Sequence, residues 1–159
     1  MKTEYLTKEL WILAWNASVQ HASIYKKGAW KDSRERENID AFRKSVIRYI
    51  TENVIPNYKK DVSEEDHCIN INKIISYANS IADELLGENG YKFGVAQKLL
   101  NLMLKYLWCL GVVSEPPHCP VDRIVIDKTS LKGKVNWTQI TSESEYLRVI
   151  NEIKKVASL

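Results

Sequence analysis

The sequence has few cysteines and lacks the long apolar segments of membrane and secreted proteins. Its three cysteines are odd in number and have no paired spacing, so we expect neither a disulfide framework nor a metal site. The longest apolar run, residues 99–113, is interrupted by Asn101 and Lys105 and is shorter than the roughly 20 residues that a membrane span needs. The first residues lack the apolar core of a signal peptide. We therefore predict a cytoplasmic protein without a membrane segment.

A large excess of one charge is also missing. The sequence has 23 basic and 20 acidic residues, a net charge of +3, which permits contact with a polyanion but does not by itself indicate one. Apolar residues make up 45% and charged residues 27% of the chain, as in ordinary globular proteins. With 159 residues, the chain is predicted to form a single helical domain, 1–159, around one core.

Apolar residues recur at helical spacing in five segments, which predicts an all-α bundle or orthogonal array of about five to six helices. The segment 92–110 is the most apolar and is predicted to be the central helix. The last segment begins with a capping box at Ser142 and Glu145. The predicted helices cover residues 5–27, 39–54, 71–86, 92–110 and 142–156.

A loop separates the last two of these segments. Pro116, Pro117 and Pro120 exclude a regular helix over residues 114–120. Asp122 is placed to cap a short helix that extends to Asp127. The β-branched residues 124–126 suit a strand nearly as well, so helix and strand both remain open there.

A lysine near the start of the central segment is followed, 24 residues later, by an aspartate. Residues 94–101 read Gly-Val-Ala-Gln-Lys-Leu-Leu-Asn, and residues 121–125 read Val-Asp-Arg-Ile-Val. Together they resemble the active-site region of the helix-hairpin-helix DNA glycosylases, the endonuclease III and 8-oxoguanine glycosylase superfamily. The pattern of that family is Gly-Val-Gly-x-Lys-x-Ala-Asn and then Val-Asp-x-x-Val, so Ala96 departs from it. The resemblance is limited to the Gly94–Val125 region.

The resemblance implies a helix-hairpin-helix-like motif and base-excision activity on DNA. It places Lys98 as the nucleophile and Asp122 as the catalytic carboxylate. In such an enzyme the carboxylate stabilises positive charge on the sugar, and in some members an amine attacks the sugar carbon. Neither role requires a cofactor, and none is predicted.

Duplex DNA is the predicted partner. A glycine turn leading into a helix N-terminus presents backbone amides to phosphate, and nearby lysines and arginines release counterions. The residues predicted to contact DNA on these grounds are Gly90, Lys92, Gly94, Lys105 and Arg123.

Each of these interpretations has a simpler alternative. The glycines could only turn the chain, Asp122 could be only a helix cap, and Lys98 and Lys105 could form a solvated stripe. The protein would then be a non-catalytic helical module with a protein partner, which needs only an exposed apolar or basic patch. An enzyme instead requires Lys98 and Asp122 to face one pocket. The oligomeric state is left open.

Whether each tryptophan and Cys109 is buried or exposed is predicted from the polarity of its neighbours in the sequence. Trp108 and Cys109 lie in the apolar central segment and are predicted to be buried, as are the two tryptophans of the first helix. Trp30 and Trp137 have polar neighbours and are predicted to lie on a functional surface. His118 either lines a cleft near Asp122 or is exposed on a loop, and the exposed position is the more common one for such a residue.

Overall fold

The protein is all-α, as predicted. The computed structural model describes residues 2–29, 32–82 and 84–158. Within these ranges, none of the helices is both long enough and apolar enough to cross a membrane. The α-helices are α1 (Lys2–Val19), α2 (Ser33–Tyr49), α3 (Glu64–Ile81), α4 (Phe93–Cys109), α5 (Arg123–Ile126) and α6 (Glu143–Ala157). A π turn (Ile50–Val54) and a 3-10 turn (Ile55–Lys59) continue α2, and a second 3-10 turn (Trp137–Gln139) precedes α6.

Helix α4 is the central helix of the bundle. Thirteen of its 17 residues are buried, and α1, α3 and α6 pack against it. Leu99, Leu100, Met103 and Leu104 have no solvent exposure. A helix that is apolar on nearly all sides must be enclosed by others, because each exposed apolar side chain forgoes the gain of removing that surface from water. The prediction that this segment forms the centre of the fold is confirmed.

The predicted caps at Ser142 and Asp122 are also confirmed. The Ser142 side chain accepts a hydrogen bond from the amide of Glu145, whose carboxylate accepts one from the Ser142 amide. Asp122 accepts a hydrogen bond from the amide of Val125 at 3.0 Å, so the residues after it form α5 and the strand alternative is wrong. Gly111 ends α4 with a φ of 70°, a conformation that favours glycine.

Two of the predicted helices end earlier than their apolar patterns suggested. Helix α1 ends at Val19 rather than near residue 27, and His21 and Ser23 follow with positive φ values of 68° and 48°. Helix α3 ends at Ile81 rather than at the predicted residue 86. The apolar residues beyond these ends pack in irregular segments instead, where Tyr25 and Leu86 form an isolated antiparallel bridge.

Three predictions of burial are wrong. Trp108 is 44% exposed and Cys109 is exposed, because the last turn of α4 extends beyond the helices that cover its middle. Trp137 is 8% exposed rather than presented on a surface, because its segment covers the start of α4. Trp30 lies outside the described residues.

The start of α4 is in backbone contact with the segment 137–140. The amide of Gly94 donates a hydrogen bond to the carbonyl of Ile140 at 2.9 Å. A Cβ atom at Gly94 would lie 1.9 Å from the carbonyl oxygen of Trp137, so no larger residue fits without a backbone shift. The glycine is thus required for packing between these two segments, whatever its other role.

We predict that Gly94→Ala lowers the free energy of unfolding by at least about 2 kcal/mol, because overpacking against a backbone atom cannot be relieved by a side-chain rotation. Gly87→Ala is the matched control, since the nearest atom to its Cβ is 3.7 Å away. That control should change the stability by less than about 1 kcal/mol. Urea denaturation of both variants measures the difference. Equal midpoints would contradict the close approach at Gly94.

Candidate functional site

The structure brings Lys98 and Asp122 into direct contact. The Nζ atom of Lys98, in the second turn of α4, lies 2.6 Å from Oδ2 of Asp122, which precedes α5. The Lys98 side chain is 8% exposed and that of Asp122 is 28% exposed. Lys98 is therefore not part of a solvated stripe. Its amine is sheltered, while the carboxylate remains open to solvent.

Gln97 fixes the position of the aspartate relative to the lysine. Its Nε2 donates to the carbonyl of Val121 at 2.8 Å, and its Oε1 accepts from the amide of Val121 at 3.1 Å. Because Val121 directly precedes Asp122, this two-point pairing attaches the backbone beside the carboxylate to α4. Gln97 is fully buried, and such a polar group is stable only with all its hydrogen bonds made.

Asn101 adds a second attachment one turn later. Its Nδ2 lies 3.1 Å from Oε1 of Gln97, 3.2 Å from the carbonyl of Cys119 and 3.0 Å from the hydroxyl of Tyr146. Neither Gln97 nor Asn101 is among the site residues predicted from the sequence. A signal was present, because amides spaced i, i+4 are conspicuous in so apolar a helix.

Asp122 is ionised at neutral pH. Partial burial acts to raise the pKa of its carboxyl, but the hydrogen bonds from Lys98 and from the Val125 amide outweigh burial and hold that pKa below its usual range. The carboxylate is therefore a hydrogen-bond acceptor on both of its oxygens.

An aromatic ring also lies near the amine. The Nζ atom of Lys98 is 6.0 Å from the ring centroid of Trp137, at the outer limit of a cation–π contact. The amine of Lys98 thus has the Asp122 carboxylate in direct contact and the Trp137 indole at a longer distance.

The five residues predicted to bind DNA fall into two groups. Lys105 and Arg123 are exposed. Lys92 is 8% exposed, with Nζ 3.4 Å from the carbonyl of Thr138, and the Gly94 amide is already bonded to Ile140. Gly90 is partly buried in a turn with a φ of 57°. In this conformation neither Lys92 nor the Gly94 amide is open to a phosphate, so only the exposed pair is placed for that role.

A buried network of hydrogen-bonded tyrosine and histidine side chains adjoins the site, and it was not predicted from the sequence. The Tyr58 hydroxyl bonds to Nδ1 of His67 at 2.7 Å, and the Tyr146 hydroxyl bonds to Nδ1 of His118 at 2.9 Å. The two histidine rings meet edge to face with centroids 5.0 Å apart. The expectation that His118 is exposed is wrong, since it is 4% exposed and covered by α6 and α3.

Both tyrosine hydroxyls also accept a hydrogen bond from an amide. Nδ2 of Asn70 donates to the Tyr58 hydroxyl at 3.3 Å, and Nδ2 of Asn101 donates to the Tyr146 hydroxyl at 3.0 Å. When the hydroxyl uses its own proton to donate to Nδ1, the histidine carries its proton on Nε2. Nε2 of His118 lies 3.5 Å from Oε2 of Glu64, too far for a good hydrogen bond.

Both histidines are neutral at pH 7. Burial and, to a smaller extent, the neighbouring His118 lower the pKa of His67 to about 3, although the Asn101 side chain and Glu64 act to raise it. Burial likewise lowers the pKa of His118, although Glu64 acts to raise it. Nε2 of His67 and Oδ1 of Asn101 nevertheless lack a partner at strict hydrogen-bond geometry.

Two surface cavities lie elsewhere. One, of about 540 Å³, is bordered by Lys26, Phe42 and Leu85, and the other, of about 510 Å³, lies beside the stacked rings of Tyr49 and Tyr77. Neither is lined by Lys98 or Asp122, so neither of these two cavities is the pocket that an enzyme would require beside the pair. Among the described residues, no three histidine, cysteine, aspartate or glutamate side chains are grouped to hold a metal ion.

Comparison with protein-family models, with curated proteins and with solved structures found no match. The likeness to helix-hairpin-helix DNA glycosylases therefore rests on the sequence pattern.

We predict that stability falls as the pH drops below the ordinary histidine pKa of 6.5. The unfolded chain takes up a proton there, whereas folded His67 does so only near pH 3. Between pH 7.5 and 5 this difference lowers the free energy of unfolding by about 2 kcal/mol. His67→Gln should flatten the dependence, measured by urea denaturation at each pH. The exposed His21 gives the control His21→Gln, and an equal slope in both variants would contradict burial of a neutral His67.

Proposed function

We propose that the protein binds duplex DNA beside the Lys98–Asp122 pair and acts on it as a base-excision enzyme of the glycosylase and abasic-site lyase type. The observation that carries the proposal is the contact itself, a sheltered amine 2.6 Å from a carboxylate that remains partly exposed. A nucleophilic amine needs a proton acceptor within hydrogen-bond reach, and Asp122 fulfils that requirement. The family resemblance assigns the same roles to the same two residues.

The reaction at an abasic site can be written with these two groups. In the reacting state a proton passes from the Lys98 ammonium to the Asp122 carboxylate and leaves a neutral amine. This transfer runs against the resting preference for the ion pair, because the contact lowers the pKa of Asp122. The nitrogen lone pair forms a bond to the aldehyde carbon of the opened sugar. The carbonyl oxygen takes one proton from the attacking nitrogen and a second from Asp122, and the carbon–oxygen bond then breaks to release water. The product is a protonated Schiff base between Lys98 and the sugar, with Asp122 again a carboxylate.

A basic segment next to the pair supports a polyanionic partner. Residues 123–134 contain four cations, Arg123, Lys128, Lys132 and Lys134, against one carboxylate, Asp127. The rest of the chain is balanced, because the whole sequence has 23 basic and 20 acidic residues. All four cations are exposed, and none pairs with a carboxylate in the part of the chain that is described. Counterion release on contact with phosphates would favour binding at this segment.

DNA binding should therefore be weak and steeply salt-dependent. Four phosphate contacts predict a slope of about −3.6 in a plot of log affinity against log salt, measured by fluorescence anisotropy with a labelled duplex. The double variant Lys132→Gln/Lys134→Gln should reduce the slope by about two. Lys59→Gln/Lys60→Gln removes the same charge outside the segment and should leave the slope unchanged. No binding at low salt would refute the proposal.

Borohydride should trap a covalent complex between the protein and abasic DNA, because it reduces the Schiff base to a stable amine. Lys98→Gln and Lys98→Arg should both abolish trapping. The arginine variant retains a cation next to Asp122, so its loss of trapping cannot be ascribed to an unpaired carboxylate. Trapped protein is measured by gel shift and by mass spectrometry of the modified peptide.

Stray surface amines also react with abasic sites, and Lys73→Gln is the control for them. Lys73 is exposed on α3 and has no predicted contact with DNA, so its variant should trap as well as the unaltered protein. Equal trapping by all of these proteins, or by none of them, would remove Lys98 as a nucleophile.

A second candidate function is that of a protein-binding helical module, and one observation favours it. The outer face of α1 presents Tyr5, Leu6, Ile12 and Leu13, which are 41–68% exposed. Apolar side chains grouped on one exposed face are typical of interaction surfaces. A protein that fails both DNA experiments would leave this face as the functional surface.

A further inference from the structure

Helix α1 is apolar on two opposite faces. The inner face, which packs against α4, buries Trp11, Ala14 and Trp15. Four of the ten exposed large apolar side chains that are described lie on the outer face, namely Tyr5, Leu6, Ile12 and Leu13. A helix that is apolar all round is normally enclosed all round, because apolar surface left in water forgoes the gain of burial. The outer face of α1 is therefore an interaction surface.

The apolar residues of the outer face are spaced symmetrically about Glu9. Tyr5 and Leu13 lie four positions before and after it. Leu6 and Ile12 lie three positions before and after it. Residues three and four positions apart share a face of a helix, so Glu9 stands at the centre of two apolar pairs.

This symmetry makes the outer face complementary to itself. When two copies of α1 pair in antiparallel orientation about a two-fold axis at Glu9, Tyr5 of one copy lies opposite Leu13 of the other. In the same arrangement Leu6 lies opposite Ile12. Every large apolar side chain of the face then meets an apolar side chain of the second copy.

The charges at the centre of the face fit the same arrangement. Lys8 and Glu9 are adjacent and exposed, so the ammonium group of one copy lies beside the carboxylate of the other across the axis. Lys8 pairs with Glu4 at 3.1 Å within its own helix, but the two side chains are 72% and 71% exposed. Such an exposed pair contributes little to stability, so Lys8 is free to exchange Glu4 for Glu9 of the second copy.

The balance of charge on α1 favours a second copy over a membrane surface. The helix carries two lysines and two glutamates, Lys2, Lys8, Glu4 and Glu9. Helices that lie on membranes have a polar face rich in lysine and arginine, which attracts anionic lipids. A neutral helix has no such attraction, whereas it pairs with its own copy without net repulsion.

We propose that the protein forms a two-fold symmetric homodimer through the outer face of α1, with the two helices antiparallel and Glu9 at the axis. The proposal names the partner of the surface in the second candidate function, and it does not require DNA binding. The 18 residues of α1 span about 27 Å and present a face about 10 Å wide. That area is smaller than the roughly 800 Å² per partner of a standard interface, so the dissociation constant is expected in the micromolar range.

Sedimentation velocity over about 1–200 µM protein measures the association. The mass should rise with concentration from 18.4 kDa toward twice that value. Leu6→Ser/Leu13→Ser removes one member of each apolar pair and should weaken association at least about tenfold. Ile69→Ser is the control, because Ile69 is 44% exposed on α3 and should leave association unchanged. Circular dichroism verifies the fold of each variant.

Two charge variants test the antiparallel arrangement. Lys8→Glu places four carboxylates at the axis of the homodimer, and Glu9→Lys places four ammonium groups there, so neither variant should self-associate. Their equimolar mixture joins two cations to two anions and should form a heterodimer. Sedimentation of the mixture with one variant fluorescently labelled measures it.

Three results would overturn the proposal. The first is a mass that stays at 18.4 kDa over the whole concentration range. The second is equal association of Leu6→Ser/Leu13→Ser and the unaltered protein, and the third is a mixture of the charge variants that stays monomeric. Sedimentation of a monomeric protein with phosphatidylserine vesicles, lost in Leu6→Ser/Leu13→Ser, would assign the face to a membrane instead. None of these outcomes bears on the proposed DNA binding, because no residue of that site lies on α1.

Discussion

The pairing of the Gln97 side chain with the Val121 peptide group is the interaction on which the candidate site depends. The loop before α5 contains three prolines and has no regular structure of its own, so its backbone groups need partners elsewhere. Gln97 supplies a donor and an acceptor from inside the central helix. Leaving a buried polar group unpaired costs about 1–3 kcal/mol, and this favours one position of the loop over its alternatives. Asp122 faces Lys98 because the residue before it is held in this way.

The same helix also organises a polar interior, which sets this bundle apart from one with a purely apolar core. Asn101 contacts the hydroxyl of Tyr146, which in turn bonds to His118, and the ring of His118 abuts His67. Each side chain of this network has a hydrogen-bond or ring partner only when the next one is in place, so the network favours a single packing of α3, α4 and α6. The cost of that specificity is sensitivity to acid, since a proton on either histidine would be a charge in a dry environment.

Patterns within one segment could be interpreted from the sequence, and contacts between segments could not. The apolar α4, the capping box of α6 and the cap at Asp122 depend on neighbours within a few residues, and all three are confirmed. Trp108 and Trp137 were assigned to the wrong environments because burial depends on which distant segment covers them. Gln97 and the two buried histidines were missed for the same reason. Lys98 and Asp122 could be paired only through a family pattern, and their catalytic roles stay a prediction.

The contact at Gly94 has a consequence for the order in which the chain can fold during synthesis. The start of α4 is covered by residues 137–140, which are made more than 40 residues later. Until they leave the ribosome, the Gly94 amide and the amine of Lys92 remain exposed to water, and so does one end of the most apolar helix. Nascent chains with such exposed apolar surface are prone to aggregate and to engage chaperones. Residues in the last third of the polypeptide thus complete the core only after its central helix, α4, has been synthesised.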